Sequence, residues 1–207
     1  MTSLSQAKTL GGIGSILVIL FPVPTVGWVL SIAGLIMVLV AVRYVSDVSK
    51  NKAIFNDMLF STILAIVGVV AGVVVLLGTV FSALARIFPS GFPANPGGGP
   101  PPNVTTGDIF SLVGGVLLGL AVLWVFLIVS AIFLRRSYGK IATFVGVGMF
   151  NTAGLLYLIG AALTILFGVG LIIVLVAAIL QIVAFFSLPD QPPTPTASAT
   201  SSPMMVS

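Results

Sequence analysis

Charge is confined to short windows of this chain, and four stretches, 9–42, 58–85, 109–134 and 141–189, contain no Asp, Glu, Lys or Arg. Each is long enough to cross a hydrocarbon core of about 30 Å as a helix. Proline marks the interruptions: of 13, two stand at 22 and 24, six between 89 and 102 and five after 188. Proline removes a backbone donor that lipid cannot replace, so these positions mark exits from the apolar phase.

The pattern predicts an all-α fold, a polytopic transmembrane bundle of six helices arranged as three hairpins within residues 1–188. Helices over 5–21 and 25–45 are joined by the turn Pro22-Val23-Pro24. Helices over 57–87 and 107–134 flank an external Gly/Pro-rich loop, 88–106. The last stretch is too long for one helix and breaks at Phe167-Gly168-Val169-Gly170, giving helices over 150–167 and 171–187. Residues 141–149 are either the first turns of the fifth helix or a short interfacial segment, and a start near Phe150 is favoured. The tail, 189–207, is rich in Pro, Ser and Thr and is expected to be disordered and cytoplasmic.

Composition agrees with the pattern: 58% of the 207 residues are hydrophobic and 6% charged, too few charges for the surface of a soluble domain. The net charge of +4 does not imply nucleic acid, because the eight basic residues are scattered among short segments between apolar runs. Cysteine and histidine are both absent. That removes disulfides, thiolate chemistry, ligation of haem or zinc by these side chains, and the usual general base near neutral pH. No cofactor, metal or catalytic residue is expected. Residues 1–21 resemble a signal peptide only in outline, since Pro22-Val23-Pro24-Thr25 lacks the small-residue cleavage pattern; a first membrane helix is expected.

Charge also sets an orientation. Lys8, Arg43, Lys50, Lys52, Arg135, Arg136 and Lys140 fall on one side of a six-helix arrangement and only Arg86 on the other, which makes the populated side cytoplasmic. The chain is then expected in the cell membrane with both termini cytoplasmic. The outer loop carries one glycosylation sequon, Asn103-Val104-Thr105. Asp57 and Asp108 are expected to cap helix N-termini, and Arg43, Arg86, Arg135 and Arg136 to meet helix C-termini. No ionisable group is then left near the bilayer centre, which argues against a proton relay or an ion-coupled carrier.

Buried polar candidates remain: Ser61, Thr62, Thr152, Thr164 and above all the amides Asn151 and Gln181; these two amides are each expected to face another helix as an interhelical hydrogen-bonding residue. The spacings Gly68-x-x-x-Gly72 and Gly115-x-x-x-Gly119 predict close packing of the third helix on the fourth. Trp28 and Tyr44 suit an aromatic belt, whereas Trp124 falls near mid-membrane, packed or lipid-facing. Residues 13–21 echo 159–167; these are either parallel repeats or coincidence in Leu/Ile/Gly-rich text.

Gly12-Ile13-Gly14-Ser15-Ile16-Leu17, Ala53-Ile54-Phe55-Asn56 and the stretch 150–189 carry a resemblance. In it, Phe150-Asn151-Thr152-Ala153-Gly154-Leu155-Leu156-Tyr157-Leu158-Ile159-Gly160-Ala161 and Ala184-Phe185-Phe186-Ser187-Leu188-Pro189 match best. The chain resembles an archaeal multi-spanning membrane protein family known as domain of unknown function 996. The resemblance implies location and no activity, and carries over no site residue.

The reading favoured by polar-poor, glycine-rich helices is a non-enzymatic membrane subunit or packing protein whose partners are membrane lipid, other membrane subunits or a second copy. The alternative is a small-solute carrier or channel without a charged pathway, supported by the echo and the amides. A lipid-modifying enzyme is disfavoured by the lack of histidine, cysteine and a spare carboxylate pair.

Overall fold

The computed structural model describes residues 4–88, 104–165 and 169–191. Among these there are six helices and no strand: α1 (Leu4–Ile19), α2 (Gly27–Val48), α3 (Lys52–Ile87), α4 (Thr106–Val145), α5 (Met149–Leu163) and α6 (Val169–Phe186). α2, α3, α4 and α6 are long and apolar enough to cross a membrane, while α1 and α5 are apolar but shorter, at 16 and 15 residues. Asn103, most of the external loop, the tail beyond 191 and residues 167–168 of the expected break lie outside the described residues, while Val169 and Gly170, also placed in that break, already belong to α6.

Each helix packs on the next, and α6 returns to α1, so three hairpins close into a ring. The hydrophobic core fills only one end of it. Leu4 and Ala7 of α1, Val42 and Val45 of α2, Ile54 of α3, Tyr138 and Ile141 of α4, Phe150 of α5 and Phe185 of α6 meet there. The same end carries Lys8, Arg43, Lys50, Lys52, Arg135, Arg136 and Lys140 and is called the basic end below. Tyr138, Phe150 and Phe185 stack edge to face in series, with ring centres 5.6 and 5.1 Å apart. This order suits the ring quadrupoles and ties α4, α5 and α6 together. α1 joins them because Gly11 and Gly12 leave room for the rings of Phe185 and Phe186, where any Cβ would collide.

Glycine sets the closeness of all three hairpins. A Cβ on Gly14 would come within 2.7 Å of the Gly34 carbonyl oxygen, and one on Gly34 would strike the Gly14 carbonyl. Gly160 and Gly170 stand in the same reciprocal relation across α5 and α6. Gly72 and Gly119 are each 3.4 Å from the other's carbonyl by the same measure. Small residues permit this approach, which matters most where apolar side chains gain nothing by leaving lipid. Both glycines of the sequence echo, Gly14 and Gly160, occupy these contacts.

The α3–α4 hairpin keeps one antiparallel register throughout. Ser137 Oγ donates to the Ile54 carbonyl, Ser130 faces Ser61 with their hydroxyls 3.1 Å apart, and Gly119 faces Gly72. Equal steps forward on α3 and backward on α4 separate these pairs. Gly68 and Gly115 add room for Phe126 and Thr79 on the same face.

Helix ends follow local chemistry. The Asn51 side chain caps α3 by accepting from the Ala53 N–H, and Thr105 and Asp108 form a reciprocal capping box on α4. α4 does not stop near Leu134 as expected but runs on to Val145, ending at Gly146 in the left-handed conformation with φ 73°. Residues 141–145 therefore belong to the fourth helix. The charges at 135–140 were expected to mark a loop, but a helix surface can carry them once it has left lipid.

These contacts set an order of sensitivity. Alanine at Gly34 or Gly170 meets backbone and is expected to lower stability by about 1–3 kcal/mol. Alanine at Gly78 or Gly114, where nothing lies within 4 Å, is expected to be neutral or stabilising by up to about 1 kcal/mol. Thermal unfolding of the purified variants in mild detergent checks this order.

Candidate functional site

A groove opens between α4 and α5 at the basic end. Ile132, Arg135, Arg136, Gly139, Lys140 and Thr143 follow the spacing of one helix face and form its first wall. Asn151 and Leu158, two turns apart on α5, form the second. The groove has a volume of about 420 Å³. A neighbouring cavity of about 270 Å³ shares Lys140 and Thr143 and reaches Ser49 and Asn51 in the α2–α3 turn.

Its charges are unbalanced. Lys140 Nζ lies 2.6 Å from Asp57 Oδ2, in a pair half withdrawn from solvent. Arg136 sits 5.6 Å over the Phe133 ring, and among the described residues neither Arg135 nor Arg136 is paired with a carboxylate. Three expectations are corrected here. Asp57 does not cap α3, which begins at Lys52 under Asn51; it lies inside the helix and neutralises Lys140. Arg135 and Arg136 are not at a helix C-terminus, because α4 continues for more than two turns beyond them. Asn151 is exposed rather than buried, as is Thr152. Phe150 and Ala153 take the inward face at the start of α5, which leaves Asn151 and Thr152 on the outward face, where an amide needs no protein partner.

Gln181 behaves differently. It is buried, its amide nitrogen donates to Ser15 Oγ at 2.8 Å, and its carbonyl accepts from the Tyr157 hydroxyl at 2.8 Å. Ser15 in turn donates to the Gly11 carbonyl. One side chain thus links α6 to both α1 and α5 with its polar atoms bonded, which removes the penalty of an amide in an apolar interior. Thr62 and Thr164 bond back to carbonyls one turn earlier on their own helices.

Sequence reasoning missed two contributors. Trp124 Nε1 donates to the carbonyls of Ala161 at 3.1 Å and Ala162 at 3.3 Å, satisfying acceptors that the end of α5 leaves open. Its only sequence signal was a polar tip at mid-membrane depth. Gly154 meets Arg135 Cα and Tyr138 across the α4–α5 contact, so the groove wall begins where two backbones nearly touch.

Comparison with known proteins adds a family and no activity. Residues 30–179 match the family described as Protein of unknown function (DUF996). An uncharacterized protein of Methanocaldococcus jannaschii is 33% identical over 187 residues, which cover 90% of this chain and 94% of that one. No solved structure matches.

Leucine at Gln181 is expected to lower stability by roughly 0.6–2 kcal/mol, since Ser15 and Tyr157 each lose a partner. Accessibility distinguishes the two amides. In the native cysteine-free background, cysteine at Asn151 is expected to react rapidly with a small water-soluble maleimide, and cysteine at Gln181 to resist it. Equal rates at the two positions would contradict this geometry.

Proposed function

This chain belongs to the DUF996 family, and we propose that it is a multi-pass protein of the cell membrane that acts without catalysis, by lateral packing with other membrane chains or a second copy of itself. All six helices of residues 1–188 would lie in the bilayer with both termini and the tail cytoplasmic, because seven basic residues cluster at one end and Arg86 stands alone at the other.

The α3–α4 hairpin carries this reading. At about 1.5 Å per residue, helices of 36 and 40 residues reach about 54 and 60 Å, well beyond α1, α2, α5 and α6. Between 66 and 87 only Gly68, Gly72 and Ala83 are buried, and between 106 and 129 only Gly119. Phe81 and Phe110 are 66% and 73% exposed. Such a hairpin offers lipid or another chain a long apolar surface on nearly every side but one. Gln181, the amide that a carrier would place in a wet pathway, instead has both ends bonded.

Two measurements test this. Cysteine at Lys50 is expected to be labelled only after cells are permeabilised and cysteine at Thr106 in intact cells; the opposite pattern would invert the topology. Native mass spectrometry of the full chain from mild detergent is expected to show a stable stoichiometric complex. Serine at Phe81 and Phe110 together should dissociate it without lowering the unfolding temperature. A lone chain that takes up a solute in proteoliposomes would favour the carrier.

A further inference from the structure

The α4–α5 groove has a chemical gradient along its length. At one end Ile132 and Leu158 face each other, adjoining the uncharged run of α4 that ends at Leu134. At the other, one and two turns further on, come Arg135, Arg136 and Lys140, with the exposed Asn151 amide opposite. Gly139 keeps the floor between them open: a Cβ there would meet only Asn151 Oδ1, at 3.8 Å. Asp57 offsets one of three cations, and neither arginine has a carboxylate partner among the described residues. An amphiphile with an apolar chain and an anionic head matches this order of surfaces, and the position, where an apolar helix becomes charged, is the depth of a headgroup.

We infer that the groove binds a phosphate monoester or diester anion, seated between Arg135, Arg136 and Asn151, with the headgroup of an anionic phospholipid as its source. Guanidinium groups suit this ligand because their planar donors match phosphate oxygens in pairs. Asn151 adds an uncharged donor from the facing helix. Ile132 and Leu158 then lie against the first carbons of the acyl chain, which a free phosphate lacks. The site needs the packed α4 and α5 helices but no partner chain, so loss of lateral association leaves it intact.

The full chain in mild detergent is titrated with phosphatidylglycerol, phosphatidylcholine or inorganic phosphate, and bound species are read by native mass spectrometry. Phosphatidylglycerol is expected to bind more tightly than phosphatidylcholine. At about a fivefold contribution per arginine, the Arg135→Gln, Arg136→Gln double variant should lose roughly 20- to 30-fold in affinity for the anionic lipid. Raising salt on the unaltered chain should weaken the same binding, and Arg86→Gln at the opposite end should leave it unchanged. Binding of inorganic phosphate that depends on Arg135 and Arg136 would keep the anion site and assign it to a soluble ligand. Equal binding of both lipids without any phosphate binding, or anionic binding that survives in the double variant and in high salt, would overturn the assignment.

Discussion

Everything in this fold depends on how closely two helix backbones approach at a pair of glycines. In water, a hairpin of apolar helices is driven together by the removal of side chains from solvent. In lipid that drive is absent, and association rests on packing and on hydrogen bonds between helices. Three reciprocal contacts, Gly14 with Gly34, Gly72 with Gly119 and Gly160 with Gly170, give each hairpin one place where carbonyl and Cα surfaces meet directly. Hydroxyls and an amide then add direction: Ser61 with Ser130 inside the second hairpin, Gln181 with Tyr157 inside the third, and Gln181 with Ser15 between the first and third.

The three hairpins differ in what they do with this common device. The first and third are short and are joined at the basic end by Gly11 and Gly12 against Phe185 and Phe186. The second is much longer, and beyond Trp124 its surface belongs to no other helix described here in any buried contact except across its own seam. A firm core with a cationic groove at one end and a bare apolar hairpin at the other divide the molecule into a part that holds itself together and a part that faces its surroundings.

Six helices in three hairpins could be read from proline positions and uncharged runs because the backbone's need for hydrogen bonds in lipid leaves so few alternatives. The Gly68/Gly72 and Gly115/Gly119 spacings pointed to the α3–α4 seam, since four-residue spacing puts both on one face. The contacts of Gly14, Gly34, Gly160 and Gly170 were not legible, because each helix contributes a single glycine and only the hairpin pairs them. Likewise, Arg135 to Lys140 suggested the end of a helix. A charge run reports departure from lipid, whereas termination is a backbone event, made here at Gly146. The roles of Asp57 and Asn151 turned on that same boundary: with α4 extended, Lys140 reaches Asp57 and Asn151 faces a groove wall that a shorter helix would not have supplied.

The most direct measurement is a cross-link along the α3–α4 seam, in a chain with no native cysteine to interfere. Cysteines at Ser61 and Ser130 replace hydroxyls that lie 3.1 Å apart. Their Cβ atoms should fall near the roughly 3.5–4.5 Å that a disulfide requires. Under mild oxidation in intact membranes, free thiols of the Ser61→Cys, Ser130→Cys protein are expected to disappear and the linked peptides to be recovered, while a Ser61→Cys, Ser111→Cys protein stays reduced. A Ser61–Ser130 pair that stays reduced, under conditions that oxidise Ser61 with Ser111, would contradict the glycine-set register of the hairpin.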